Sequence, residues 1–377
     1  MAIDRLFVLM KEKAASDMFF AVNSPIQIKI DGVLYPINQQ KLDQAMILNL
    51  LNEVVPSVRM AELERENELN IGIPVTGVGS FRLSAFRQRG SISAVLRYIP
   101  SRIPALKDAN LPPLLSELIM ERRGLMLVVG ATGSGKSTTI ASMLDHRNEH
   151  ASGHILTIED PIEFLFRNKK SIVNQREIGT DAASLALALK NALRQAPDCI
   201  LIGEIRDKET MSAAIAYAQS GHLVVATLHA NNSYQALNRI INFFPIENRQ
   251  SLLADLAATL KVIVSQRLVA AVDGGRRAAV EIMLNTRHVA ELIEKGDLGQ
   301  IKEAIEKSMA PGSQTFEQAL MQLIAAGVIS KEEAMAHADS ATNLFWLHNN
   351  KAEKAPDLPK LEPVEDGATF TEFTLDV

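Results

Sequence analysis

The octapeptide Gly130-Ala131-Thr132-Gly133-Ser134-Gly135-Lys136-Ser137 fits G-x-x-x-x-G-K-[ST] at every fixed position. The apolar run Leu125 to Val129 leads into it, and a helix-like segment, Thr138 to His146, leaves it. That order demands a strand, a tight glycine loop and a helix in succession, so the surrounding chain must build an α/β sheet. The chemistry follows from the same geometry. Glycines let backbone N–H groups approach phosphate oxygens, and the helix N-terminus adds positive partial charge. Gly130 to Ser137, with Thr138 opening the helix, therefore form the expected ATP-binding set. Lys136 is placed to reach the β- and γ-phosphates, and the Ser137 hydroxyl to hold Mg²⁺.

The neighbouring pattern agrees with such a sheet. Ile155 to Ile158, Cys199 to Ile202 and Leu223 to Thr227 are short, solidly apolar runs, as expected of strands covered by helices on both faces. Helical stretches such as Ser184 to Gln195 and Lys208 to Gln219 lie between them. Acids follow two of the strands, in Ile158-Glu159-Asp160-Pro161-Ile162-Glu163 and in Gly203-Glu204. Carboxylates at the C-terminal ends of parallel strands face the crevice where ligands bind. One can hold the metal's water shell while another orients or deprotonates the attacking water; spacing alone does not say which. His222 and His229 flank the strand Leu223 to Leu228. They are either hydrogen-bonded structural residues or imidazoles that report on the γ-phosphate. A zinc site is not expected, because the chain has one cysteine, Cys199, which reads as a small buried hydrophobe.

Residues 1–100 form a separate α+β module. Ile26 to Ile30 alternates with period two and meets Val33 to Tyr35 through Asp31-Gly32, a hairpin signature. Lys41 to Val55 carries apolar residues at helical spacing and ends before Pro56. Phe81 to Arg87 and Ser91 to Tyr98 read as two further strands, bearing Arg82, Arg87, Arg89 and Arg97. Such arginines either protect a sheet edge or deliver a guanidinium to phosphate. Four prolines between Pro100 and Pro113 mark an extended linker, residues 101–113. The α/β domain is expected over 114–279 and a helical part over 280–345. Residues 346–377 are expected to be a disordered acidic tail, since Lys351 to Val377 holds seven acids against three lysines. A net charge of −5 gives no basic field for nucleic acid. No apolar run reaches the ~18 residues of a membrane span, and Met1 to Arg5 lacks the order of a secretory signal, so a cytoplasmic protein with at most peripheral membrane contact is expected.

Taken together, the Gly130–Ser137 loop, the box Ile158 to Phe164, the segment Leu201 to Asp207 and the stretches Gly221-His222 and Leu228-His229-Ala230-Asn231 resemble the type IV pilus retraction ATPases, the PilT/PilU group of secretion ATPases. The likeness runs from about residue 3 to residue 345. It implies a RecA-like core behind a PAS-like N-terminal domain. It also implies Glu163 as general base, Glu204 acting on Mg²⁺ through water, His222 and His229 as nucleotide sensors, and Arg82 and Arg97 reaching bound ATP. A homohexamer is implied, working at the inner membrane on the pilus platform protein. The segment His288 to Lys295 lacks the two arginines typical of PilT proper, which with the acidic tail points toward the PilU branch and an accessory role beside a PilT-type motor. Readings left open are a small-molecule kinase, a regulatory subunit that binds ATP with little turnover, and a related secretion or traffic ATPase.

Overall fold

The computed structural model describes residues 2–30, 32–99 and 103–352. The helix Ala2–Glu12 opens the chain, and its buried Ile3, Phe7 and Met10 recur at helical spacing on one face. Phe7 meets Phe81 with ring centroids 4.4 Å apart, tying that helix to a sheet. The sheet comprises β1 (Asp17–Phe20), β2 (Gln27–Ile30), β3 (Val33–Pro36), β4 (Glu68–Val75), β5 (Gly79–Gln88) and β6 (Ser91–Ile99), in the order β3-β2-β1-β6-β5-β4. All its pairings are antiparallel. The expected hairpin is β2–β3 and the expected helix spans Gln44–Asn52, started by the Asp43 side chain accepting from the Met46 N–H. Asp31, in the turn, lies outside the described residues.

The second sheet has seven strands: β7 (Gly124–Val129), β8 (Gly153–Glu159), β9 (Ser171–Glu177), β10 (Cys199–Ile202), β11 (Leu223–Leu228), β12 (Leu260–Ala270) and β13 (Arg276–Leu284). Their order is β13-β12-β7-β11-β10-β8-β9. Every pairing is parallel except the last hairpin, β12–β13. Helices cover both faces, so β7 and β10 are buried along their whole length, and Cys199 is fully enclosed. This is the α/β core the loop motif requires.

Two boundaries differ from the expected ones. β13 crosses residue 279 and runs to Leu284, so the sheet does not end where the helical part was expected to begin. Its pairing with β12 holds in the sheet a sequence that opens on Arg276-Arg277-Ala278-Ala279 and carries Glu281, residues of modest strand propensity. The C-terminal helices then pack Phe316, Leu320, Met321 and Leu344 against Val269 and Ala279 of this hairpin. The last helix, Ala341–Ala352, also extends past residue 346, because the buried Leu344 anchors it. The remainder of the expected acidic tail, from residue 353 on, lies outside the described residues, as do Pro100, Ser101 and Arg102 at the start of the linker.

Candidate active site

β7 ends at Val129 and the chain turns through Gly130–Gly135 into the helix Lys136–His150. Two of the glycines are dictated by space. A Cβ on Gly130 would meet the Gln266 carbonyl oxygen at 2.5 Å. Gly135 has φ +90°, and a Cβ there would strike Gln266 Nε2 at 2.7 Å. Gln266, on β12, thus floors the loop, and its Oε1 accepts from Thr139 Oγ1 at 2.7 Å. The Ser134 hydroxyl is buried and has no hydrogen-bond partner. An orphaned donor beneath a ring of loop amides fits a phosphate oxygen.

Lys136 is 8% exposed, and its Nζ donates to the carbonyls of Gly130 and Ala131 at 2.9 Å each. Burial lowers its pKa, while Glu204 and Glu163 act in the opposite sense. Lys136 and Ser137 open on a cleft of ≈ 280 Å³ whose far wall carries Glu159, Glu163, Glu204 and His229. Glu204 follows β10, and His229 follows β11. The Glu204 carboxylate is held by Arg206 Nε at 2.7 Å and faces His229 Nε2 at 3.2 Å. Glu159, Glu204 and His229 therefore stand at the C-terminal ends of parallel strands, the side on which such sheets bind ligands, and Glu163 lies in the loop that follows β8.

Arg82 reaches this wall from β5: its guanidinium lies 3.7 Å from Glu163. Arg97 is directly opposite Arg82 on β6 but does not line the cleft; it is 60% exposed and pairs with Asp17 at 2.8 Å. His222 precedes β11, so it sits at the other end of the sheet, with Nδ1 3.0 Å from Ser220 Oγ. Thr132 and Gly133 line the cleft, whereas the described contact of Thr138 is its carbonyl accepting from Ser142 Oγ.

Three features carry no sequence signal. Gln266 is one, because β12 shows no motif. The protonation of Glu159, a residue of the Ile158–Glu163 box, is another: burial raises its carboxyl pKa to about 7, although Thr157 Oγ1 donates to it at 2.7 Å and Gln175 Nε2 at 3.4 Å. The third is β9, whose Gln175 and Glu177 hold the loop that carries Glu163.

Residues 2–274 match the family model described as type II/IV secretion system protein. The chain is 46% identical over 358 residues to the type IV pilus ATPase PilU of Pseudomonas aeruginosa, covering 95% of this chain and 94% of that protein. It is 37% identical over 343 residues to the type IV pilus retraction ATPase PilT of the same organism, covering 91% and 100%. A crystal structure of the pilus retraction motor PilT with bound ADP superposes with a TM-score of 0.84 at 38% identity, over 90% of this chain and 99% of that one.

Proposed function

The chain belongs to the type II/IV secretion system protein family, and from that membership we propose that it hydrolyses ATP to ADP and phosphate to power type IV pilus retraction in twitching motility. The observation that carries this reading is one cleft in which the glycine loop and Lys136 face Glu163 and Glu204. That juxtaposition suits a triphosphate on one side and an attacking water on the other.

Within it, the amides of Gly130–Ser137 and the Lys136 ammonium bind the phosphates, Lys136 exchanging its two loop carbonyls for phosphate oxygens. The Ser137 hydroxyl is a Mg²⁺ ligand, and Glu204 orients the metal's water. Mg²⁺, when bound, neutralises charge on the phosphoryl oxygens. Glu163 is the general base, with Arg82 holding its carboxylate until nucleotide arrives. His229 reads the site through Glu204. Arg97 and His222 lie outside their own chain's cleft, and we assign their nucleotide contacts to the subunit interfaces of a homohexamer.

No helix among the described residues is long and apolar enough to cross a membrane. The motor is accordingly proposed to act from the cytoplasm on the inner-membrane platform protein. The higher identity to PilU than to PilT supports an accessory role beside a PilT-type ATPase. Deletion of the gene tests the assignment: twitching should fall and return with the wild-type chain. Undiminished twitching under load, with a purified protein that turns over ATP normally, would assign the motor to another process.

A further inference from the structure

The loop bearing Glu163 has no regular structure of its own and must be held by its neighbours. Two side chains of β9, two residues apart and hence on one face of the strand, do this. Gln175 makes a two-pronged bridge: its Nε2 donates to the Phe164 carbonyl at 2.7 Å, and its Oε1 accepts from the Phe166 N–H at 2.9 Å. Glu177 accepts the Ile162 N–H on Oε2 at 3.0 Å and the Thr180 hydroxyl on Oε1 at 3.2 Å. Together they pin the main chain on both sides of residue 163. Glu177 is 7% exposed, so water cannot replace these bonds at low cost.

The N-terminal sheet touches the same brace. Gly72 on β4 lies directly opposite Arg82 on β5, so the two share one face of that sheet. Arg82 contacts Glu163, while a Cβ on Gly72 would approach Glu177 Oε2 to 3.0 Å. Arg59 adds a bond from its Nη1 to the Gly179 carbonyl at 3.2 Å, just past the end of β9. One row of the N-terminal sheet thus rests on the base and on the residue that positions it.

We propose that Gln175 and Glu177 are positioning residues for Glu163, and that the N-terminal sheet reaches this brace through Gly72. The proposal rests on Glu163 being the general base. Glu177 touches neither substrate nor metal; it sets where the base can sit. A misplacement of about 1 Å can cost roughly 10²-fold in rate without weakening ligand binding.

The test uses the full chain, with ATP turnover and affinity for a fluorescent ATP analogue measured side by side. Glu177→Ala and Gln175→Ala should each lower kcat by roughly 10- to 100-fold with little change in nucleotide affinity. Glu177→Gln, which keeps an oxygen to accept the Ile162 N–H, should restore most of the rate. Gly72→Ala should lower kcat in the same direction, more weakly, and it keeps the proposal open to refutation if Glu177→Ala does not fold. Each effect should vanish in a Glu163→Gln background, because residues acting as one unit are not additive. Unchanged kcat in the single variants, a loss residing in nucleotide affinity, or full additivity with Glu163→Gln would overturn the positioning role. Wild-type turnover by Glu163→Gln alone would instead overturn the base assignment.

Discussion

Glu159 shows how one buried group links site and stability. Burial raises its carboxyl to about 7 in the folded chain, against an ordinary value of 4.5. The folded protein therefore holds a proton there that the unfolded chain has released, so stability must fall as pH rises through that window. The stabilising contribution is complete below about pH 4.5 and gone above about pH 7. Urea melts from pH 5 to pH 8 should show this decline, and Glu159→Gln should flatten it; an unchanged slope in the variant would assign the proton elsewhere. The residue scale also shows what could be read in advance. Gly130, Lys136 and Ser137 were legible because their spacing is tied to a single geometry. Glu159 stands in the Ile158–Glu163 box, but its raised pKa comes from burial by the enclosing walls, against the hydrogen bonds from Thr157 and Gln175, and no linear pattern displays that. Gln266 was invisible for a similar reason: it acts by lying under Gly130, a contact between residues far apart in the chain.

Elements were legible in proportion to how evenly they are buried. β7, β10 and β11 run through the middle of the sheet and are apolar almost throughout, so they stood out. β9 is an edge strand whose last four residues, Asn174 to Glu177, are all polar and which uses Gln175 and Glu177 as braces, which hid it. β13 carries Glu281 within a buried stretch, which argues against a core strand until its partners are seen. Ser233 donates to that carboxylate from both N–H and Oγ, at 2.8 and 2.7 Å, and Ser265 donates at 3.0 Å. The β12–β13 hairpin is fastened to the C-terminal helices by Arg267 as well as by the apolar cluster around Phe316. The Arg267 guanidinium lies 3.9 Å from the centroid of the Phe316 ring, pairs with Asp339, and donates from Nη2 to the Asn231 carbonyl at 3.1 Å. Arg267→Ala should cost about 2 kcal/mol in global stability, because it strips a stacked and paired cation from a packed interface. Thermal melts check this, and a melting temperature equal to wild type would show that the helices are held by Phe316, Leu320 and Leu344 alone.

For the whole molecule, the arrangement joins two sheets of different kinds across one cleft. The parallel sheet supplies the phosphate loop and the acids, and the antiparallel sheet presents Arg82 to them. A nucleotide bound as proposed in this cleft would touch both, and its affinity should appear as stability of the assembled chain. At about a hundredfold excess over Kd, ATP with Mg²⁺ should stabilise the wild-type protein by about 2.7 kcal/mol. Chelating the metal should reduce the gain. The antiparallel module was legible as a class from its hairpin and paired strands, but its footprint on the cleft was not, since Arg82 and Arg97 look alike in sequence and only one of them reaches the acids. The most direct check is steady-state ATP hydrolysis by wild type and Lys136→Ala at matched concentration, with melting curves taken without nucleotide. Removing the buried ammonium should lower turnover by at least roughly 10²-fold while the nucleotide-free melting temperature stays within a few degrees. Hydrolysis by Lys136→Ala at the wild-type rate would contradict the assignment of this loop as the place where ATP is split.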